Sequence, residues 1–350
     1  MRRTICSVMS NARIQWADGM KAGGMLAVVL YHTGIQADVR SMAYLLCLPA
    51  FFFVAGCFAD AGMNVGMYFR RRTLRLLVPY LVFGILAWLA WLLVGRRFGS
   101  DAGTQTPWWE PLRGILIGRS ERLVQDAPLW FLPCLVVMEW LYYLIARLPS
   151  RWLWPAAVLL SVAGYCLGEV WGCHLPWGAD TAMTLLPLYV AGYALRPWLQ
   201  GLPSRMNPVW GVLLGVAVIA CVFVAWYYNP GIKLSYGRYG HPVLFCLGEV
   251  SVVAFWYLFA RGMGHVSCLS RALCWFGRNT LWVLCMHIPH FGAVKGLLLV
   301  CGVPLSFYAT NEGSLLLWAG SLIICVPLVL FLNRYMPFLG GRLPGKDAQE

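Results

Sequence analysis

Long, nearly charge-free windows recur along this chain, and they restrict its fold more than any other feature. A membrane-crossing helix needs roughly 20 mainly apolar residues, with every backbone polar group satisfied inside the segment. Ten segments fit that description: 22–35, 41–58, 76–95, 127–146, 152–168, 181–195, 208–228, 242–260, 279–300 and 314–333. Pro49, Pro133, Pro187, Pro289 and Pro327 fall inside them and are expected to kink their helices, with neighbours re-satisfying the freed carbonyls. That pattern suits one packed bundle.

Composition closes the alternatives. The chain is 60% hydrophobic and 12% charged, whereas soluble domains keep roughly a quarter of their residues charged. A soluble globule would therefore expose more apolar surface than water tolerates. Most of the 13 cysteines lie in apolar runs, as Cys47, Cys134, Cys221, Cys246, Cys285 and Cys325 do, and behave there as small hydrophobes. Cys166 and Cys173 are candidates for oxidation if they face a periplasm. No Cys/His spacing of the zinc type occurs, so no metal is expected. The polar N-terminus, with no cleavage signal after its first apolar run, gives no reason to expect a removable leader.

The formal charge of +13 raises nucleic acid, an anionic membrane surface or an anionic ligand as partners. Its distribution favours the membrane. With the N-terminus placed in the cytoplasm, 18 of the 27 basic residues fall on that side, from Arg2, Arg3 and Arg13 through Arg70, Arg71, Arg72 and Arg75 to Arg205, Arg342 and Lys346. Five exceptions share one long loop, 96–127, which also carries Asp101, Glu110, Glu121 and Asp126 and a short helix near 111–117. Long loops translocate with little regard to charge. The expected architecture is an all-α polytopic membrane protein, a single domain over residues 1–350. About ten transmembrane helices surround a central cavity, and both termini are cytoplasmic: an N-terminal segment 1–20 and a tail 334–350. No internal repeat supports an inverted-repeat transporter.

Few polar residues interrupt the apolar windows. His32 follows Lys21 by eleven positions, about 16 Å along a helix, which sets the imidazole near mid-membrane. It is either a polar packing residue bonded to a neighbouring helix or a base able to take a hydroxyl proton near neutral pH. Arg72 and Arg75 share a helix face, where they either clamp the phosphates of an anionic donor such as coenzyme A or simply orient the helix. Glu139, Glu249, His287 and His290 also stand in apolar runs; either glutamate could orient His32 as a triad acid does, and each could equally be a packing residue. Asp18 lies too far from His32 along a helix to pair with it and is expected to cap the helix or pair with a basic neighbour. Trp108 and Trp109 suit an interfacial belt or stacking on a sugar.

In order, RIQWADGMKAGGMLAVVLYHTG, LPAFFFVAGCF, RRTLRLLVPY, PLWFLPCL and FGRNTLWVLCMH resemble the successive landmarks of the membrane-bound acyltransferase 3 family. They are similar in particular to those of the branch of fucose 4-O-acetylases and enterobacterial common antigen O-acetyltransferases. The resemblance implies a multi-pass enzyme of the bacterial inner membrane for surface polysaccharide modification. It would move an acyl group, usually acetyl from acetyl-CoA, to a hydroxyl of a glycan or lipid-linked sugar. It also implies roles: His32 as base or acyl relay, Lys21 as its motif's basic partner, and Arg72 with Arg75 in donor binding. Lys21 stands where the family often has arginine, and so lacks the bidentate fork. No further domain is expected after residue 333, and no nucleic acid partner. The rival reading is a transporter or exporter of a polar or lipid-linked substrate, with the same histidine and glutamates as a proton path.

Overall fold

The computed structural model describes residues 15–98, 103, 105–123, 126–201, 208–264 and 266–340. Arg2, Arg3, Arg13, Asp101, Arg205, Arg342 and Lys346, used above for the topology, lie outside the described residues. The described chain is all-helical; its one β element is an isolated bridge between Lys233 and Arg238.

The helices run in chain order as α1 (Gln15–His32), α2 (Ala37–Cys47), α3 (Pro49–Cys57), α4 (Val65–Gly95), α5 (Glu110–Ile117), α6 (Phe131–Ile145) and α7 (Leu153–Tyr165). There follow α8 (Ala179–Thr184), α9 (Leu186–Gly201), α10 (Pro208–Tyr228), α11 (Pro242–Met263), α12 (Ser267–Arg278), α13 (Thr280–Val300) and α14 (Asn311–Tyr335). Among the described residues, eight segments are long and apolar enough to cross a membrane, each overlapping one of the ten expected windows. The other two windows fail for visible reasons. Helix α1 carries Asp18, Lys21 and three glycines in its first ten residues, and the 181–195 window breaks at Leu185 into the short helices α8 and α9.

Three of the five prolines do not kink a helix. Pro49, Pro133 and Pro187 sit in the first turns of α3, α6 and α9, where the missing N–H has no intrahelical partner to lose. Pro289 and Pro327 do lie inside α13 and α14.

Helix α1 is the axis of the molecule despite its modest apolarity. It packs against α2, α3, α11, α12, α13 and α14, and Trp16, Met20, Met25 and Val29 are buried along it. Close approach requires its glycines: a Cβ at Gly23 would sit 2.2 Å from the Trp256 ring of α11. The same device joins α3 to α9, where a Cβ at Gly56 would lie 1.9 Å from the Tyr189 carbonyl oxygen. Between helices that share lipid as solvent, such small-residue contacts supply the packing.

The 96–127 loop is built rather than slack. Helix α5 forms where the short helix was expected, with Pro111 in its first turn. Glu110 pairs with Arg113 and Arg122 at 3.6 Å each, and Arg119 pairs with Glu121, so the loop largely neutralises its own charge. Arg119 donates to His174 O at 3.1 Å and Trp177 to Leu116 O at 2.9 Å, docking the loop on the turn before α8.

Candidate active site

The chain reverses after α1, so α2 and α3 run back alongside it, with Gly24 opposite Cys47 and Phe51. His32 is the last residue of α1. It therefore stands at one end of its own helix, against His287 inside the 280–300 span. Arg72 lies at the opposite end: its guanidinium donates to Phe58 O, just past the C-terminus of α3. From this antiparallel register the two sites are separated by about 25 Å along the axis.

At the His32 end, the ring is half-buried and makes no hydrogen bond among the described residues. Its edge meets Tyr31 at 4.8 Å, and the His287 ring lies 5.3 Å away, centroid to centroid. Both histidines belong to helices packed on each other, α1 and α13. His287 Nδ1 is 3.0 Å from the carbonyl oxygens of Val283 and Leu284. Since carbonyls only accept, Nδ1 carries the proton and Nε2 the lone pair. That Nε2 is buried without a hydrogen-bond partner.

A cavity of about 240 Å³ opens on His32. Its wall draws on the reversing turn (Gly34), on α2 (Arg40, Tyr44), on the 96–127 loop (Ser120), on the start of the α6 segment (Trp130) and on the turn before α11 (Ser235). Lys21, Arg72 and Arg75 do not line it. Asp126, next to the lining residue Ala127, is 3% exposed with neither carboxylate oxygen hydrogen-bonded, and burial raises its pKa well above the usual carboxylate range. Trp108 and Trp109 also stay outside the cavity; Trp108 packs on Trp88, whose indole donates to its carbonyl.

The expected glutamate partners of His32 are elsewhere. Glu139 of α6 lies 3.7 Å from Arg72 and within electrostatic reach of Arg75, at the other end of the bundle. Glu249 of α11 is 4% exposed, with both oxygens unbonded, near the thiol of Cys47. Neither touches the imidazole, whose actual neighbour is His287, singled out in the sequence only as a polar residue in an apolar run. The signal was present: His287 interrupts an apolar window just as His32 does, but spacing within one window does not tell which helices meet.

At the Arg72 end, cations gather on helix carbonyls. Arg196 donates to Cys57 O at 3.1 Å and lies over the Phe58 ring, beside the Arg72 contact. The C-terminal dipole of α3 favours positive charge there. Arg72 is thus engaged by Phe58 and Glu139, and Arg75, though exposed, lies within electrostatic reach of the same glutamate. Lys21 sits between the ends and pairs with Asp18 at 2.8 Å, as expected of that aspartate.

A family profile described as an acyltransferase domain, that of the acyltransferase 3 family, matches residues 14–334. Neither the curated proteins nor the solved structures contain a match to this chain.

Proposed function

The chain belongs to the acyltransferase 3 family and is a membrane acyltransferase, and we propose that it moves an acetyl group from acetyl-CoA to a sugar hydroxyl of a surface glycan or its lipid-linked precursor. The observation that carries this reading is the state of His32: ring nitrogens without protein partners, opening on a cavity, beside a second imidazole with a free lone pair. A histidine retained only for packing would be expected to bond a neighbouring helix.

In this mechanism His32 takes the hydroxyl proton as the acceptor oxygen attacks the thioester carbonyl. The new C–O bond forms, the C–S bond breaks, and the coenzyme A thiolate leaves with the proton from the imidazolium. The neighbouring His287 ring, 5.3 Å away centroid to centroid and held through its own Nδ1, packs beside the imidazole and limits how it can turn. An acetyl-imidazole on His32 is the two-step form of the same exchange. In this reading the donor phosphates lie at the Arg72 and Arg75 end, and the acceptor enters through the cavity at His32. Arg72 and Arg75, both carried by α4 at that end, are the phosphate contacts. The membrane is the bacterial inner membrane, crossed ten times when α1 and the α8–α9 pair are included, with the Arg72 end cytoplasmic.

The test is purified protein with acetyl-labelled coenzyme A, alongside mass spectrometry of glycans from cells with and without the protein. Expected are release of free coenzyme A and an acetyl group missing from the glycans of cells lacking it. Label that stays on the protein, and is lost in His32→Ala, marks the two-step route. Normal glycan acetylation in cells making well-folded His32→Ala would reject the assignment. Group transfer is preferred to the rival transport reading because the family profile spans nearly the whole chain.

A further inference from the structure

A second cavity, about 290 Å³, adjoins the one at His32 and shares Tyr31, Arg40 and Tyr44 with it. Together they fall in the size range of small-molecule sites, roughly 300–1,000 Å³. Their lining is chemically one-sided: Arg40 and Lys233 supply two positive charges, and no carboxylate lines either cavity among the described residues. Neither cation has a carboxylate within ion-pair distance there. Both rest instead on aromatic rings, Arg40 over Tyr31 at 5.3 Å and Lys233 over Tyr236 at 5.8 Å.

The wall is held in place. Lys233 and Arg238 exchange backbone hydrogen bonds at 2.8 and 3.1 Å, which closes the turn carrying the lysine. Trp226 donates to Ser41 at 2.8 Å, tying α10 to α2, and Ser235 N donates to the Tyr44 hydroxyl at 3.2 Å. Two cations carried on different elements, one a planar fork and one a point charge, suit a multiply charged oxyanion better than a single carboxylate. Tyr31 is already covered by Arg40, His32 and Tyr44, but the half-buried Trp226 in the same wall offers an aromatic face that suits an apolar sugar face.

We propose that the acceptor is a glycosyl phosphate: its phosphate lies between Arg40 and Lys233, its ring rests on Trp226, and one of its hydroxyls reaches His32. The assignment of that hydroxyl rests on the acetyl-transfer reading; the anion site does not.

The test is calorimetric titration of the full chain in phosphatidylcholine nanodiscs with glucose 1-phosphate, glucose and inorganic phosphate. Glucose 1-phosphate is expected to bind at least about tenfold more tightly than either fragment, the equivalent of about 1.4 kcal/mol, and less tightly as salt rises. The Arg40→Gln/Lys233→Gln double variant is expected to lose that advantage. Equal binding of glucose, or an undiminished preference in the double variant, overturns the proposal. So does inorganic phosphate binding as tightly as the sugar phosphate, or loss of sugar phosphate binding in phosphatidylglycerol-rich nanodiscs, since either makes a bare phosphate or a lipid headgroup the occupant. The native protein separates the two readings: coenzyme A release without sugar phosphate preference rejects the anion site alone, and the preference without coenzyme A release rejects the transferase reading alone.

Discussion

His32 and His287 form the pair on which the proposed chemistry turns, and their variants should behave differently. Removing a general base typically costs 10²–10⁴-fold, so His32→Ala is expected to lower kcat by roughly that factor while the thermal midpoint holds. His287→Ala leaves the base in place but unaimed. Its kcat should fall by roughly one to two orders of magnitude, about 1.4–2.7 kcal/mol of barrier, and the pH–rate profile should shift, a change that a packing defect alone would not produce. Asp126 offers a stability test. Because burial raises its folded-state pKa, the folded state holds a proton that the unfolded chain releases above the ordinary carboxylate range. Stability therefore falls as pH rises through that window. In Asp126→Asn this slope should flatten, which thermal unfolding in detergent from acidic to mildly alkaline pH measures. The burial of Asp126 was not legible in its position: it lies in a polar loop, and only the docking of that loop beside α13 removes it from water.

Among the helices, α1 owes its central position to what it lacks. A methyl group at Gly23 meets the Trp256 ring, and overpacking of this kind costs roughly 1–3 kcal/mol. Gly23→Ala is expected to lower the thermal midpoint measurably, and a midpoint equal to the native one would show that α1 and α11 are less closely apposed than described. The π-helical turn Phe69–Thr73 and the helix after it divide two roles between two arginines. Arg72 binds the end of α3 to Glu139 of α6. Its loss leaves a buried carboxylate unpaired, so Arg72→Gln should lower stability. Arg75→Gln should raise KM for acetyl-CoA in the protein that remains folded. Steady-state kinetics beside thermal unfolding distinguish the two. The sequence spacing that put both arginines on one face was sound as helix geometry; it held no information on Phe58 and Glu139, which come from distant segments.

For the molecule as a whole, the two ends of the bundle are chemically distinct, and orientation in the membrane is the outstanding consequence. Cys173 is exposed near His174, at the end where the 96–127 loop docks, and Cys268 is exposed at the start of α12, whose Cys274 reaches the Gln15 carbonyl at the other end. In cysteine-depleted chains retaining one or the other, a membrane-impermeant thiol reagent applied to spheroplasts should label Cys173 and leave Cys268 unlabelled until the membrane is permeabilised. The reverse pattern would invert the topology and place the proposed acceptor cavity in the cytoplasm. The sequence by itself was enough to determine an all-helical membrane protein, the windows of the eight apolar spans found among its described residues and the family, because span length, lack of charge and the order of local motifs are properties of contiguous residues. Which polar groups meet inside the bundle was decided only by tertiary structure. His287 rather than a glutamate faces His32, Glu139 faces Arg72, and Arg40 and Lys233 share a cavity, because the reversal after α1 and the packing around its glycines set helices from remote parts of the chain side by side.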